Sequence, residues 1–294
     1  MIYDVIIVGM GISGISSAIY AKQAGLNVLM FESKIPGGLL NQIDEVSNYA
    51  GIGKIKGSDF AMNLFNQVND LKIDYQLSEI EKIEDGEVKS VYTKDKIYKC
   101  KNVILAIGRS PKLLGLDNEK KILGKGISTC AVCDGYFYKE NDVAVIGNGN
   151  SALQECIYLS NIVKKVYLLI RKDKLTGMDD LIEKVKSKEN IEINYQTNIE
   201  KINEENGKLK NLVLSTGKIL NVAGLFVYAG YAPDTKFLNN LNITNKNGYI
   251  EIDENLETKI KGIFAIGDVT IKEVYQLITA AGDGAKVVKK LHIN

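Results

Sequence analysis

No run of about eighteen apolar residues occurs in the 294-residue chain, so no membrane span is expected. A basic surplus is also missing. Lys+Arg number 37 against 36 Asp+Glu, which argues against a nucleic-acid binder. With 3 prolines and no long Gly/Ser or acidic tract, the chain does not read as disordered. Histidine occurs once, at His292, and arginine twice, at Arg109 and Arg171. The N-terminus has no charged segment followed by a cleavable apolar core, so a cytoplasmic location is expected. The 4 cysteines are therefore not expected to form a structural disulfide framework.

Glycine is plentiful: many of the 27 follow apolar runs. Tyr3–Gly9 reads as a buried parallel strand running into Gly9-x-Gly11-x-x-Gly14 and an apolar-periodic helix to about Gly25. Asn27–Phe31 is a second strand, ending at Glu32. This βαβ pattern recurs with the strand Asp142–Gly147, the loop Gly147-x-Gly149-Asn150-Ser151-Ala152, a helix to about Ile162 and the strand Lys165–Ile170. A second echo links Ala106-Ile-Gly108-Arg-Ser-Pro111 with Ala229-Gly230-Tyr-Ala-Pro233. Gly262–Asp268 matches the end of the first unit better than that of the second. The expected fold is α/β: two Rossmann-like, three-layer ββα nucleotide-binding domains, the second inserted into the first. Residues 1–112 and 243–294 form the first domain, and residues 113–242 the second.

In such a fold the first glycine makes the tight turn. The second lets the pyrophosphate approach, and the third lets helix and strand pack. The phosphates then sit on the helix N-terminus. Gly9, Gly11 and Gly14 satisfy this in the required context, and Glu32 stands where an acidic residue binds ribose hydroxyls.

Cys130-Ala-Val-Cys133-Asp134-Gly135 is the sharpest local signal. A dithiol at this spacing can close a disulfide and exchange it with another. A zinc site would need two further ligands. Cys100, Cys156 and His292 do not supply them at ligand spacing, so no metal is expected. The alternative is a pair of small buried hydrophobes. Cys100 and Cys156 lie in apolar-patterned segments and read as core. Asp134 is the candidate general acid/base, with a turn residue before Gly135 as the alternative.

Together these residues resemble the low-molecular-weight thioredoxin reductases over nearly the whole chain. The likeness adds Pro36-Gly37-Gly38-Leu39, Glu45–Gly51, Gly267-Asp268 and Gln276–Gly282. It implies FAD on the first domain, a pyridine nucleotide on the second, a homodimer and thioredoxin as electron acceptor. Ser13, Glu32, Gly38, Leu39, Gln42, Asn48, Gly108, Gly267, Asp268, Gln276 and Leu277 would then join the glycine loop in lining FAD. Gln42 and Asn48 could instead be loop polars, and Asp268 a helix N-cap. The likeness also implies that Cys133 faces the flavin and Cys130 attacks the partner's disulfide, the inserted domain rotating between the two tasks.

The NADPH-using members carry His-Arg-Arg-x-x-x-Arg after the second strand of the inserted domain. Here the stretch reads Ile170-Arg171-Lys172-Asp173-Lys174-Leu175-Thr176. The family's Tyr-Arg-Gln becomes Val274-Tyr275-Gln276. Either Arg171 and Lys172 still hold NADPH, with Gly147, Gly149, Asn150, Ser151 and Ala152 cradling its phosphates, or the donor has changed. A clostridial subclass takes electrons from reduced ferredoxin. The lost contacts favour ferredoxin as donor over NADPH at this stage. A ferredoxin–NADP reductase would lack the cysteine pair. A redox sensor or electron-transfer flavoprotein would be separated by a turnover assay with thioredoxin.

Overall fold

The computed structural model describes residues 1–43 and 45–291, so His292 lies outside the described residues. The chain divides into two compact units, residues 1–110 with 232 onward, and Pro111–Tyr231.

The first unit opens with strand β1 (Ile2–Val8), helix α1 (Ile12–Gln23) and strand β2 (Val28–Glu32). Helix α2 (Gly57–Asp70) and strand β3 (Asp74–Leu77) follow, then β4 (Ile80–Glu84), β5 (Lys89–Thr93) and the long β6 (Ile97–Leu105). The sheet order is β3-β2-β1-β6-β5-β4. β1 is parallel to both β2 and β6, with Val8 opposite Phe31 on one side and Leu105 on the other. A strand buried on both faces is apolar at successive positions, not alternate ones. Accordingly Val5 and Ile7 enter one apolar layer, with α1, and Ile6 and Val8 enter the other.

The second unit begins its sheet with β7 (Ile127–Ser128), followed by the single turn α3 (Ala131–Asp134) that carries the cysteines. Next come β8 (Asp142–Ile146), α4 (Asn150–Ser160), β9 (Lys165–Leu169), α5 (Asp179–Ser187) and β10 (Ile191–Asn194). An antiparallel trio, β11 (Ile199–Glu205), β12 (Lys208–Leu214) and β13 (Ile219–Leu220), leads to β14 (Gly224–Val227). The parallel sheet runs β7-β14-β8-β9-β10. Val143 and Val145 pack towards α4, while Ala144 and Ile146 pack under the antiparallel trio.

The chain then rejoins the first unit. β15 (Ile263–Ala265) pairs in parallel with the C-terminal half of β6, and helix α6 (Leu277–Val288) lies against α1. Gly284 makes that contact possible, since a Cβ there would stand 2.6 Å from the Ser13 carbonyl oxygen. Both units are thus Rossmann-like, with helices on sheets that are parallel at their centre, although β4 and β5 extend the first sheet in antiparallel fashion. The segment 232–242, read from the sequence as the end of the inserted part, packs with the first unit. Leu238 and Leu241 enter its core, and Asn240 Nδ2 donates to Ile83 O at 2.8 Å. Among the described residues, no helix is long and apolar enough to cross a membrane.

Candidate active site

The first glycine loop forms at the carboxyl end of β1. Gly9 has φ +106°, and a Cβ there would lie 2.4 Å from Ala106 O at the end of β6. A Cβ on Gly14 would meet Gly9 O at 2.0 Å, so the third glycine is needed for helix and loop to touch. Gly11 differs: a Cβ there would meet nothing within 4 Å. It caps α1, which has no side-chain cap and no acidic residue in its first turn. Open N–H groups beside vacant space at Gly11 suit an incoming phosphate.

Other first-domain candidates gather around that loop. Glu32 accepts from Met10 N at 2.9 Å and Lys34 N at 3.0 Å, which fixes its carboxylate beside the glycines. Gly38, Leu39 and Gln42 lie on the single turn Gly38–Gln42. Asn48 Nδ2 donates to Gln276 Oε1 at 3.1 Å, joining two candidates 228 residues apart. Gln276 caps α6 in a reciprocal box with Thr279, and Leu277 opens the helix. Gly267 backs onto Ser13: a Cβ there would stand 2.6 Å from the Ser13 hydroxyl. Gly108 takes φ +61° in the loop after β6.

One contact among the candidates was not visible in the sequence. Arg109 donates to Asp268 at 2.9 Å, and its guanidinium lies 3.9 Å from the centre of the Tyr275 ring. Asp268 is held as an ion-pair partner within the turn Gly267–Val269, not as a helix N-cap. The signal that could have exposed Arg109 is its rarity, as one of two arginines in a lysine-rich chain.

FAD fits this unit. Besides the open N-terminus of α1, the Gln42 Oε1 atom is buried with no hydrogen-bond partner. A buried acceptor of that kind calls for a donor from a bound group.

In the second unit Cys130 and Cys133 are joined by a disulfide, with their Cα atoms 5.4 Å apart. Cys130 caps the turn α3, and its sulfur accepts from Cys133 N at 3.1 Å. Its own N–H is held by Ser128 Oγ at 3.0 Å. Cys130 is 7% exposed, whereas Cys133 and the neighbouring Tyr136 and Phe137 face solvent. Asp134 is half-buried at the end of the same turn. Cys100 and Cys156 are buried free thiols, and burial pushes each up to about 12.

The second glycine loop opens onto a cavity of about 370 Å³. Gly147, Gly149, Asn150, Ser151 and Ala152 line one side, Arg171 and Lys172 another, and Tyr228 part of the wall. Gly149 repeats the arrangement at Gly11: it caps α4 without a side-chain cap, and a Cβ there would meet nothing within 4 Å. Asn150 Oδ1 is engaged by Met178 N at 2.8 Å, which ties the loop to the start of α5.

Comparison with known proteins agrees with this geometry. The family model described as pyridine nucleotide-disulphide oxidoreductase matches residues 3–285. A thioredoxin reductase of Bacillus subtilis is 39% identical, covering 97% of this chain and 92% of that relative. The crystal structure of Lactococcus lactis thioredoxin reductase superposes with a TM-score of 0.91 at 32% identity, over 98% of this chain and 97% of that one. A ferredoxin-flavin thioredoxin reductase from Clostridium acetobutylicum gives a TM-score of 0.54 at 28% identity, over 98% and 96%. Two glycine loops, a closed Cys-x-x-Cys disulfide and likeness over nearly the whole chain to disulfide reductases converge: the chain belongs to the thioredoxin reductases of the pyridine nucleotide-disulphide oxidoreductase family, and is an oxidoreductase acting on a disulfide.

Proposed function

We propose that the protein is an NADPH-dependent thioredoxin reductase, with NADPH bound at the Gly147–Ala152 loop. The observation that carries this reading is the cavity itself, which keeps an uncapped helix N-terminus, free space at Gly149 and two cations. Phosphates suit the first two features, and Arg171 with Lys172 suits a 2′-phosphate.

The departures that favoured ferredoxin have structural accounts. Ile170 is fully buried in the apolar core of the unit, so it serves packing. The Thr176 hydroxyl ties its loop to the glycine loop, donating to Asn148 O at 3.3 Å beside the backbone N–H bond to the same oxygen at 3.0 Å. Tyr275 lies under the Arg109 guanidinium, 3.9 Å from its ring centre, so a cation does stand beside position 275. The B. subtilis relative, at 39% identity, is nearer than the ferredoxin-flavin enzyme at 28%.

When bound, FAD relays two electrons from the donor to the disulfide. The chain's own residues do the rest. Reduction opens the Cys130–Cys133 bond to a dithiol. The N–H of Cys133 then favours negative charge on Cys130 Sγ, which makes Cys130 the attacking thiolate despite its smaller exposure. It attacks the thioredoxin disulfide and forms a mixed disulfide. Cys133 displaces the partner, restoring the Cys130–Cys133 bond and releasing the partner's dithiol. Asp134, beside Cys133, supplies the proton that a departing thiolate needs. Tyr136 and Phe137, 71% and 82% exposed next to this turn, give thioredoxin an apolar surface to dock on. A homodimer is part of this reading, carried over from the family.

The test is anaerobic mixing of the flavin-loaded protein with NADPH, NADH or reduced ferredoxin while flavin absorbance is followed. Rapid bleaching by NADPH is the expected result. Bleaching by reduced ferredoxin alone would overturn the donor and restore the ferredoxin reading.

A further inference from the structure

The glycine-loop cavity and the redox turn of the second unit share one residue, Tyr228. Its backbone belongs to the loop: Tyr228 N donates to Ile146 O at 2.8 Å, and a Cβ on Gly147 would lie 2.8 Å from Tyr228 O. Tyr228 is also one of the residues that line the cavity. Its hydroxyl reaches the other way and accepts from Ala131 N at 3.0 Å. Ala131 is fully buried and stands between the two cysteines, as the first residue of α3. An N–H in the first turn of a helix has no intrahelical acceptor, so here the phenol satisfies it. Burial first, and the Glu155 carboxylate second, push the Tyr228 phenol above its ordinary value, so it stays neutral and remains a hydroxyl acceptor at working pH.

We propose that Tyr228 is a positioning residue that transmits occupancy of the glycine-loop cavity to the Cys130–Cys133 turn. This rests on the reading that a pyridine nucleotide occupies that cavity. A ligand seated on Gly147–Ala152 displaces Tyr228 through the backbone it shares with the loop, and the rigid ring carries the displacement to the hydroxyl. A shift of a few tenths of an ångström weakens the bond to Ala131 N, which has no water to turn to. Reduction breaks the bond that holds the two sulfurs together, so the same displacement at Ala131 acts on a closed turn in one state and an open one in the other. Linkage then requires the reciprocal effect: the redox state of the cysteines alters nucleotide affinity by the same factor.

The test uses the full-length flavin-loaded protein and 2′-phospho-ADP-ribose, which lacks the nicotinamide and cannot exchange electrons. Its binding is first measured by calorimetry. The Cys130–Cys133 dithiol-to-disulfide ratio is then read in anaerobic dithiothreitol buffers by alkylation and peptide mass, with and without the probe. In the unmodified protein the probe is expected to shift that equilibrium by about fivefold, a typical coupling. Tyr228→Phe keeps the ring and the cavity wall but removes the acceptor, and should bind the probe with the shift abolished. A purely structural role for the hydroxyl would move the equilibrium equally with and without probe. Amide exchange at Ala131 in the unmodified protein is a second readout needing no variant, and should quicken when the probe binds. The proposal is overturned if the probe binds without shifting the equilibrium, if Tyr228→Phe retains the shift, or if Ala131 exchange ignores the probe. Failure of the probe to bind at all would instead remove the nucleotide reading, and this proposal with it.

Discussion

Arg109 spans two segments of the first unit: its guanidinium donates to Asp268 at 2.9 Å while resting 3.9 Å from the centre of the Tyr275 ring. Both contacts are partly shielded from water, the Arg109 and Asp268 side chains being 18% and 23% exposed. A charge-assisted bond in such a place is worth about 2 kcal/mol. Arg109→Ala is therefore expected to lower the unfolding free energy by about that amount and to weaken FAD retention, because Asp268 and the segment leading to Gln276 lose their clamp. Arg109→Lys keeps the charge but not the planar fork, and should fall between. Denaturant titration and flavin release measure the two effects. Undiminished FAD affinity in Arg109→Ala would show that the clamp does not serve the cofactor.

Gly11 and Gly14 should separate folding from cofactor binding. A methyl on Gly14 collides with Gly9 O at 2.0 Å, so Gly14→Ala is expected to damage the fold itself. Gly11 has φ −75° and open space around its would-be Cβ, so Gly11→Ala should leave the flavin-free protein as stable as before. Its methyl occupies room that the pyrophosphate needs. FAD affinity should fall by at least about tenfold, or ~1.4 kcal/mol. Flavin titration together with circular dichroism of the flavin-free form distinguishes these outcomes.

Phe137 is 82% exposed beside the disulfide, and an aromatic so placed costs little to bury against a partner. Phe137→Ala should raise KM for thioredoxin by about tenfold, near the ~1.5 kcal/mol at the low end for burying a large apolar side chain. Turnover with a small aromatic disulfide should be unchanged. An equal loss with both substrates would place Phe137 in the chemistry and not in docking.

The buried thiols predict an alkaline limb of stability. Burial raises Cys100 and Cys156 from an ordinary 9.0 to about 12, so the folded chain holds both protons at pH values where the unfolded chain releases them. Their contribution is complete below about pH 9 and is lost as pH rises from there towards about 12. Denaturation midpoints should therefore fall over this range. Cys156→Ala, whatever its packing cost at neutral pH, should make the fall shallower. An identical slope in the variant would refute the assignment.

The two strands that open the glycine loops could be read from sequence because each is buried on both faces and runs straight into a glycine: Val5–Val8 before Gly9, Val143–Ile146 before Gly147. That pattern is local and leaves few alternatives. The Cys130–Cys133 pair was legible for the same reason, its chemistry residing in a four-residue spacing. Leu238 and Leu241 show the limit. Two leucines at helical spacing announce burial but not which of two cores they enter, and here the choice was made by β4, through Ile83. The contact of Arg109 with Tyr275 was invisible for a related reason: it joins the loop after β6 to the residue before the cap of α6, far apart in the chain, and the pairing of β15 with β6 helps bring those segments together.

The pairing of β15 with β6 also sets a timetable for biogenesis. The ribosome releases the first glycine loop early, yet Asp268 and Gln276 emerge only after the whole of Pro111–Tyr231 has been translated. Domains form as units in the order of synthesis, so the inserted one can close while its host still waits for a final strand. Flavin capture is consequently among the last events in maturation, and nascent chains stalled before residue 263 should emerge colourless with the redox turn already built.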